Sequence, residues 1–211
     1  MSLLRASTLD ELAFVEHGFG TRHDGPWPET TTCTTIRQIH SDQVIEATEP
    51  GVAGEGDALI TNRPGLFVSI RTADCVPILL ADPVNRVVGA VHAGWRGTVA
   101  GILSRTLEKM AQLYATRPAD VHMALGPAIL SCCYEVGPDV AAHFGKTGRG
   151  HIDLIGENRR QGVRAGVRLE RIQSLDLCTS CDLGSFWSFR KEREAAGRMT
   201  SGIRIRQSAG Y

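Results

Sequence analysis

Apolar residues recur along the chain in runs of four to seven: "TTIRQI", "LFVSI", "VPILLA", "RVVGAV", "VHMAL", "RLERI" and "SGIRIR". Runs of that length predict strands, and "RVVGAV" reads as a buried one. Residues 81–86, "ADPVNR", place Asp, Pro and Asn between two of these runs. They predict a hairpin that pairs "VPILL" with "VVGAV". After Gly97 the period changes. Val99, Ile102, Leu103, Leu107, Met110 and Tyr114 fall on one helical face, up to the breaker Pro118. A second helix is expected from Pro138, with Gly137 before it and Gly145 at its end. A third covers "GENRRQGVRAG", where Gly162 weakens the helix. Strands, one long helix, then further strands and helices predict an α/β (mixed α+β) fold. The expectation is a layered single domain over residues 1–211, with a mixed β-sheet and flanking helices.

Composition narrows the function classes. Lys plus Arg and Asp plus Glu are equal at 23 each, so no positive excess favours nucleic acid or an anionic membrane. The first residues, "MSLLRASTLDELAFVEHG", hold no long apolar core and carry acids early, so no signal peptide is expected. No apolar run approaches the roughly 20 residues that span a bilayer. A cytoplasmic location is the expectation. Six cysteines, at positions 33, 75, 132, 133, 178 and 181, show no disulfide framework.

His92 ends an apolar strand in "AVHAGWRG". Alone, it reads as a satisfied core histidine. Cys75, however, precedes the first strand of the proposed hairpin while His92 ends the second, and antiparallel pairing brings those two ends together. His40, in "TIRQIHSDQV", again ends an apolar run before a polar turn. Two imidazoles and a thiolate suit zinc, and three protein ligands leave a fourth position for solvent, which zinc acidifies towards neutrality. Asp74 and Asp57 are candidates to orient a histidine or move a proton, or else are turn residues. Arg71 and Arg96 flank the region and suit a phosphate or carboxylate, or else form surface ion pairs. Gly97, read as opening the long helix, adds backbone N–H groups that favour an anion. Trp95 reads as core.

Copper fits less well. No two of the seven histidines are separated by a single residue, as His-x-His copper motifs require, and no methionine lies near to serve as an axial ligand. The deaminase pattern His-x-Glu with Pro-Cys-x-x-Cys is missing as well. "CTSC", Cys178 to Cys181, has metal or redox spacing. With Cys132 and Cys133 it offers a four-thiolate site, although buried or incidental thiols are the simpler reading. "GKTGRG" at 145–150 lacks the first glycine of a phosphate-binding loop, because position 140 is Val140.

Taken in order, "HGFGTRHDG", "QIHSDQV", "GDALIT", "RTADCVPILLADP", "VGAVHAGWRGT", "GPAILSCCYEVGPDV", "ENRRQGVRAGV" and "GRM" resemble the laccase-domain family. That family is also called polyphenol oxidase or purine nucleoside phosphorylase. The resemblance implies a zinc site of His40, Cys75 and His92, with copper as the older family label. It implies phosphorolysis of adenosine, inosine or methylthioadenosine with phosphate, and deamination of adenosine. Glu135, in "CCYEV", matches a family position and is a candidate to contact substrate, or else is a strand-end charge. The family's longer segment between "TR" and the first histidine is shortened here, so the alternative functions are a copper-dependent polyphenol oxidoreductase or a catalytically silent zinc-binding module. Its late Ser-x-Arg-Arg pattern becomes "SFRK", which puts Lys191 where a second arginine is usual.

Overall fold

The computed structural model describes residues 3–25 and 27–207. Among them thirteen strands are numbered along the chain: β1 Val15–Phe19, β2 Cys33–Arg37, β3 Val44–Glu46, β4 Gly51–Glu55 and β5 Ala58–Thr61. β6 Phe67–Thr72, β7 Val76–Asp82, β8 Val87–Ala93 and β9 His122–Leu125 follow. The last are β10 Glu135–Val136, β11 Gly150–His151, β12 Ile172–Ser174 and β13 Met199–Ile205. The helices are α1 Ser7–Asp10, α2 Trp95–Ala100, α3 Ile102–Tyr114, α4 Pro138–Ala142, α5 Leu154–Arg164 and α6 Phe189–Glu192.

The predicted hairpin forms: β7 and β8 pair antiparallel from Val76–Ala93 to Asp82–Val87. They occupy the middle of a six-stranded mixed sheet in the order β12-β9-β7-β8-β5-β3. Their sequences are apolar at nearly every position because both faces are covered. On one face Val76, Ile78, Leu80 and Val91 meet Ile102, Leu103, Leu107 and Met110 of α3. On the other, Leu79, Ala81, Val88 and Ala90 meet Val68, Ile70, Ile203 and Ile205 of a second sheet. That sheet has five strands in the order β1-β13-β6-β2-β4, so the expected layering holds with the sheet doubled. Each such fully buried valine, leucine, isoleucine or methionine contributes about 1.5–3 kcal/mol of hydrophobic stabilisation.

Three readings need correction. The long helix is two, because Gly101 turns left-handed at φ 81 and separates α2 from α3; Val99 is left exposed. α2 also begins at Trp95, so Gly97 lies inside it rather than at its opening. "RLERI" supplies only the first residue of β12, since Leu169–Arg171 form a single 3₁₀ turn. The helix over "GENRRQGVRAG" forms as α5 despite Gly162: a Cβ there would meet Met123 Sδ at 2.9 Å, so close packing against β9 offsets the poor propensity. No helix among the described residues is long and apolar enough to cross a membrane.

Candidate metal centre

Strand pairing decides which chain segments meet. β2 and β6 lie side by side and parallel, so the loop after β2 emerges beside the link from β6 to β7. The first carries His40; the second carries Cys75 and takes the chain from one sheet to the other. β7–β8 pairing sets Pro77 opposite His92, which brings His92 next to Cys75. β5 flanks β8 on its other side, and the His92 backbone N–H donates to the Asp57 carbonyl at 2.7 Å.

The donor atoms of His40, Cys75 and His92 lie within 4.8 Å of one another. The two imidazoles are nearly perpendicular, with centroids 4.9 Å apart. Gly94 suits this crowding, since a Cβ there would stand 3.0 Å from both Cys75 Sγ and His40 Cδ2 and push against two of the donors. His92 is buried and Cys75 half-buried, while His40 faces solvent. The trio is therefore anchored in the sheet and reachable from one side.

Asp57 organises two of the three donors. Fully buried, it lies 2.7 Å from His92 Nδ1 and accepts the backbone N–H groups of Ile39 at 3.3 Å, His40 at 3.0 Å and Ser41 at 2.5 Å. The Ser41 hydroxyl adds a fifth contact at 2.7 Å. A carboxylate only accepts, so Nδ1 of His92 carries the proton and Nε2 is left free to ligate. His40 sits in the left-handed region at φ 60, which costs a non-glycine residue about 1–2 kcal/mol. Convergence of three N–H groups on one carboxylate offsets that cost. Burial raises the Asp57 carboxyl, but hydrogen bonds from His92 and Ser41 outweigh it and bring the pKa to about 2.

Cys75 and His92 perturb each other. Burial opposes ionisation of the thiol, yet the His92 charge and hydrogen bonds from His40 and His92 hold it well below its ordinary value. Burial likewise opposes the imidazolium, and the Cys75 charge with the Asp57 hydrogen bond pushes His92 above its ordinary value. Without a metal the pair is poised as thiolate and imidazolium. A metal would replace the imidazole proton and take the same thiolate.

Two clefts meet at the trio. The larger, about 400 Å³, is lined by Ile36, Gln38, Arg71, Phe189 and Arg198 together with the three donors. The smaller, about 240 Å³, is lined by Trp95, Arg96, Tyr134, Arg190 and Arg193 and shares His40, Cys75 and Phe189 with the first. Arg71 and Arg96 thus face different clefts. Trp95 both packs on the core and walls the smaller cleft. Arg96 lies over its ring at 4.5 Å, and Arg190 lies over Tyr134 at 5.3 Å.

Two expected residues play other parts: Asp74 lines the smaller cleft, and Glu135 lines neither. The Asp74 carboxylate reaches neither histidine: it accepts Thr179 Oγ1 at 2.6 Å and the Arg190 backbone N–H at 2.6 Å. Its role is to tie the turn before Cys75, strained at φ 85, to the loop after β12. The Glu135 side chain lines neither cleft; its carbonyl instead accepts the Arg190 guanidinium at 2.9 Å. Lys191 is exposed outside both clefts. Phe189, Arg190, Arg193, Arg198 and Tyr134 escaped the sequence reading, although "SFRK" holds two of them.

Residues 21–206 match the family described as multi-copper polyphenol oxidoreductase laccase. A purine nucleoside phosphorylase of Deinococcus radiodurans is 44% identical over 188 residues, which cover 83% of this chain and 71% of that protein. A protein named adenosine deaminase RL5, from an unknown prokaryotic organism, is 37% identical over 191 residues, 79% of this chain and 72% of its own. The crystal structure of the hypothetical protein YfiH of Bacillus licheniformis superposes with a TM-score of 0.86 at 29% identity. It covers 91% of this chain and 93% of that one. YlmD of Geobacillus stearothermophilus gives 0.85 at 27% identity, over 93% of each chain.

Proposed function

From the premise that this chain belongs to the multi-copper polyphenol oxidoreductase laccase family, we propose that it is a zinc-dependent enzyme acting on purine nucleosides. It cleaves adenosine, inosine or methylthioadenosine with phosphate, and it deaminates adenosine with water. The observation that carries this reading is the open His-Cys-His trio, held by Asp57 and set where two clefts meet. The names carried by the relatives from Deinococcus radiodurans and the unknown prokaryote supply the substrate class.

The donor set suits zinc. One thiolate and two neutral imidazoles in a tight triangle give three ligands and an open side, the pattern of a catalytic zinc site. A multi-copper cluster needs many more imidazoles, and among the described residues His40 and His92 are the only histidines in such a donor group. Bound by His40, Cys75 and His92, zinc supplies Lewis acidity and lowers the pKa of solvent beside the substrate.

The chain's own residues divide the remaining work. The larger cleft, at about 400 Å³, is within the range of small-molecule sites and takes the nucleoside, with Phe189 as an aromatic face for the purine and Arg71 at the rim. Arg96, Arg190 and Arg193 give the smaller cleft a positive wall, which takes the phosphate. Phosphorolysis exchanges the C1′–N9 bond for a bond from C1′ to a phosphate oxygen, and the departing purine takes up a proton. Stacking of Arg96 on Trp95 and of Arg190 on Tyr134 fixes those guanidinium groups before phosphate arrives, which lowers the entropy cost of the encounter. Asp74 acts as a positioning residue through Arg190.

The test is incubation of zinc-loaded protein with adenosine, with and without phosphate, and identification of the products. Adenine, hypoxanthine and ribose 1-phosphate are expected only with phosphate, and inosine in either case. Oxygen uptake with a phenol by the copper-loaded protein, and no nucleoside turnover by the zinc form, would overturn the reading. Full turnover by His92→Ala would do the same.

A further inference from the structure

Cys132, Cys133, Cys178 and Cys181 take no part in that chemistry, and their sequence positions suggested incidental thiols. Instead their four sulfurs lie within 4.8 Å of one another. Cys132 Sγ stands 3.8 Å from Cys133, 3.7 Å from Cys178 and 3.6 Å from Cys181, and Cys133 stands 3.3 Å from Cys181. Four thiolates at a zinc–sulfur distance of about 2.3 Å mark out a tetrahedron with edges of about 3.8 Å. Those four separations, 3.3–3.8 Å, equal that edge or fall just below it, and the other two lie within 4.8 Å. A disulfide needs sulfurs about 2.05 Å apart, which none of these four separations approaches.

Backbone geometry makes the arrangement. An isolated bridge joins Ala128 to Cys178, with the Ala128 N–H donating to Leu177 at 3.1 Å and the Thr179 N–H donating back to Ala128 at 3.0 Å. This clamp fixes Cys178 beside the turn in which the Cys133 and Tyr134 N–H groups both donate to the Leu130 carbonyl. After Cys178 the chain folds back on itself, since Cys181 and Asp182 donate to the Cys178 carbonyl. The Leu130 N–H points at Cys178 Sγ at 3.5 Å. A backbone N–H aimed at the first sulfur of a Cys-x-x-Cys turn stabilises a negative, metal-held thiolate.

We infer a second metal site, a structural zinc held by Cys132, Cys133, Cys178 and Cys181. With all four positions taken by sulfur it has no place for solvent, so its work is mechanical. It joins the turn after β9 to the loop after β12. Two contacts carry that order to the clefts. The Cys133 carbonyl accepts the Arg190 guanidinium at 3.3 Å, and Thr179, between the paired cysteines, holds Asp74.

The test uses the full-length double variant Cys75→Ala, His92→Ala, which cannot fill the first site, purified under reducing conditions. It is expected to retain about one zinc per chain, with an X-ray absorption spectrum fitted by four sulfurs at about 2.3 Å. Cys178→Ser, Cys181→Ser in the wild-type background is expected to lose about one zinc per chain and to melt at lower temperature. Should it fail to fold, the spectrum of the first variant still decides. Absence of zinc from that variant, a nitrogen or oxygen shell around it, or iron in its place would overturn the assignment. So would a disulfide among these cysteines, read as a mass two hydrogens lighter without reductant. Each outcome is read without nucleoside, so it stands apart from the proposed activity.

Discussion

Cys75 and His92 stand at the ends of β7 and β8 in the buried sheet and His40 on the loop after β2 of the other sheet, whereas Cys132, Cys133, Cys178 and Cys181 sit on two loops outside both. The first group is mixed in donor type and flanked by clefts. A buried carboxylate turns one of its imidazoles. The second is all sulfur, with Cys132 and Cys181 exposed, and the Leu130 backbone N–H points at Cys178. The difference teaches how each site is made exact. In the first, the sheet provides a rigid frame and Asp57 supplies orientation, so the geometry exists before any metal arrives. In the second, only a turn and a bridge bring the sulfurs together, and the metal would complete the fold there.

Removing Asp57 should separate the two most sharply. Asp57→Ala leaves three N–H groups and a buried imidazole without an acceptor, and breaking such a buried charged contact costs about 3–5 kcal/mol. A urea titration should show that loss. Asp57→Asn keeps the shape but offers an amide to His92. It is expected to fold and to bind zinc at the first site roughly 10–100-fold more weakly, measured by competition with a chelator. Zinc at the four-cysteine site should be unaffected in Asp57→Asn. Equal weakening at both sites would show that the sheet frames them together.

The same contrast explains what could be read from the sequence. Cys75 and His92 were legible because a hairpin with a two-ended turn signal fixes its own register. His40 was legible as a strand-end residue, but its approach depends on β2 lying beside β6, which no local pattern encodes. Asp57 was visible as an orienting carboxylate; its hold on the His40 loop was not, because that requires three consecutive N–H groups to converge. β4, "GVAGE", has every residue exposed and so no apolar signal, which is one reason the second sheet went unseen. Arg190 and Arg193 reach the cleft from α6 and the turn after it, more than a hundred residues after Cys75. The helix break at Gly101 was hidden by a periodic apolar face that continues across it.

Thiol reactivity sharpens the comparison at an intermediate level. In metal-free protein Cys75 is held below its ordinary pKa of 9.0, burial being outweighed by His92 and the histidine hydrogen bonds. Cys181 is pushed above its own, mainly by its contact with Cys133, then by Cys178 and Cys132. A lowered pKa gives more thiolate at neutral pH, and that fraction falls as pH falls through the lowered value. Iodoacetamide should therefore label half-buried Cys75 several-fold faster than exposed Cys181 at pH 7, and the advantage should shrink as the pH is raised towards 9. Peptide mass mapping of pulse-labelled, metal-stripped protein reads this directly. Faster labelling of Cys181 at every pH would mean that exposure, and not the His92 charge, governs the first site.

The smallest effect expected is at the joint between the two regions. Thr179 lies between Cys178 and Cys181, is fully buried, and donates to Asp74, one residue before Cys75. Thr179→Val keeps the volume and deletes the donor. A hydrogen bond to a charged acceptor is worth about 1.5–3 kcal/mol, and Asp74 keeps the Arg190 N–H on its other oxygen, so the loss should fall near the lower bound. Both metal sites should stay filled, because the Ala128–Cys178 bridge and the Ile129 N–H on the Asp74 carbonyl at 2.9 Å hold the backbones without that hydroxyl. Arg190 is the group left less constrained. The KM for phosphate should rise a few-fold while kcat changes little, since the hydroxyl touches no reacting atom. A fall in zinc at either site would show instead that this one hydrogen bond couples them, and the division into a framed site and a clamped one would have to be given up.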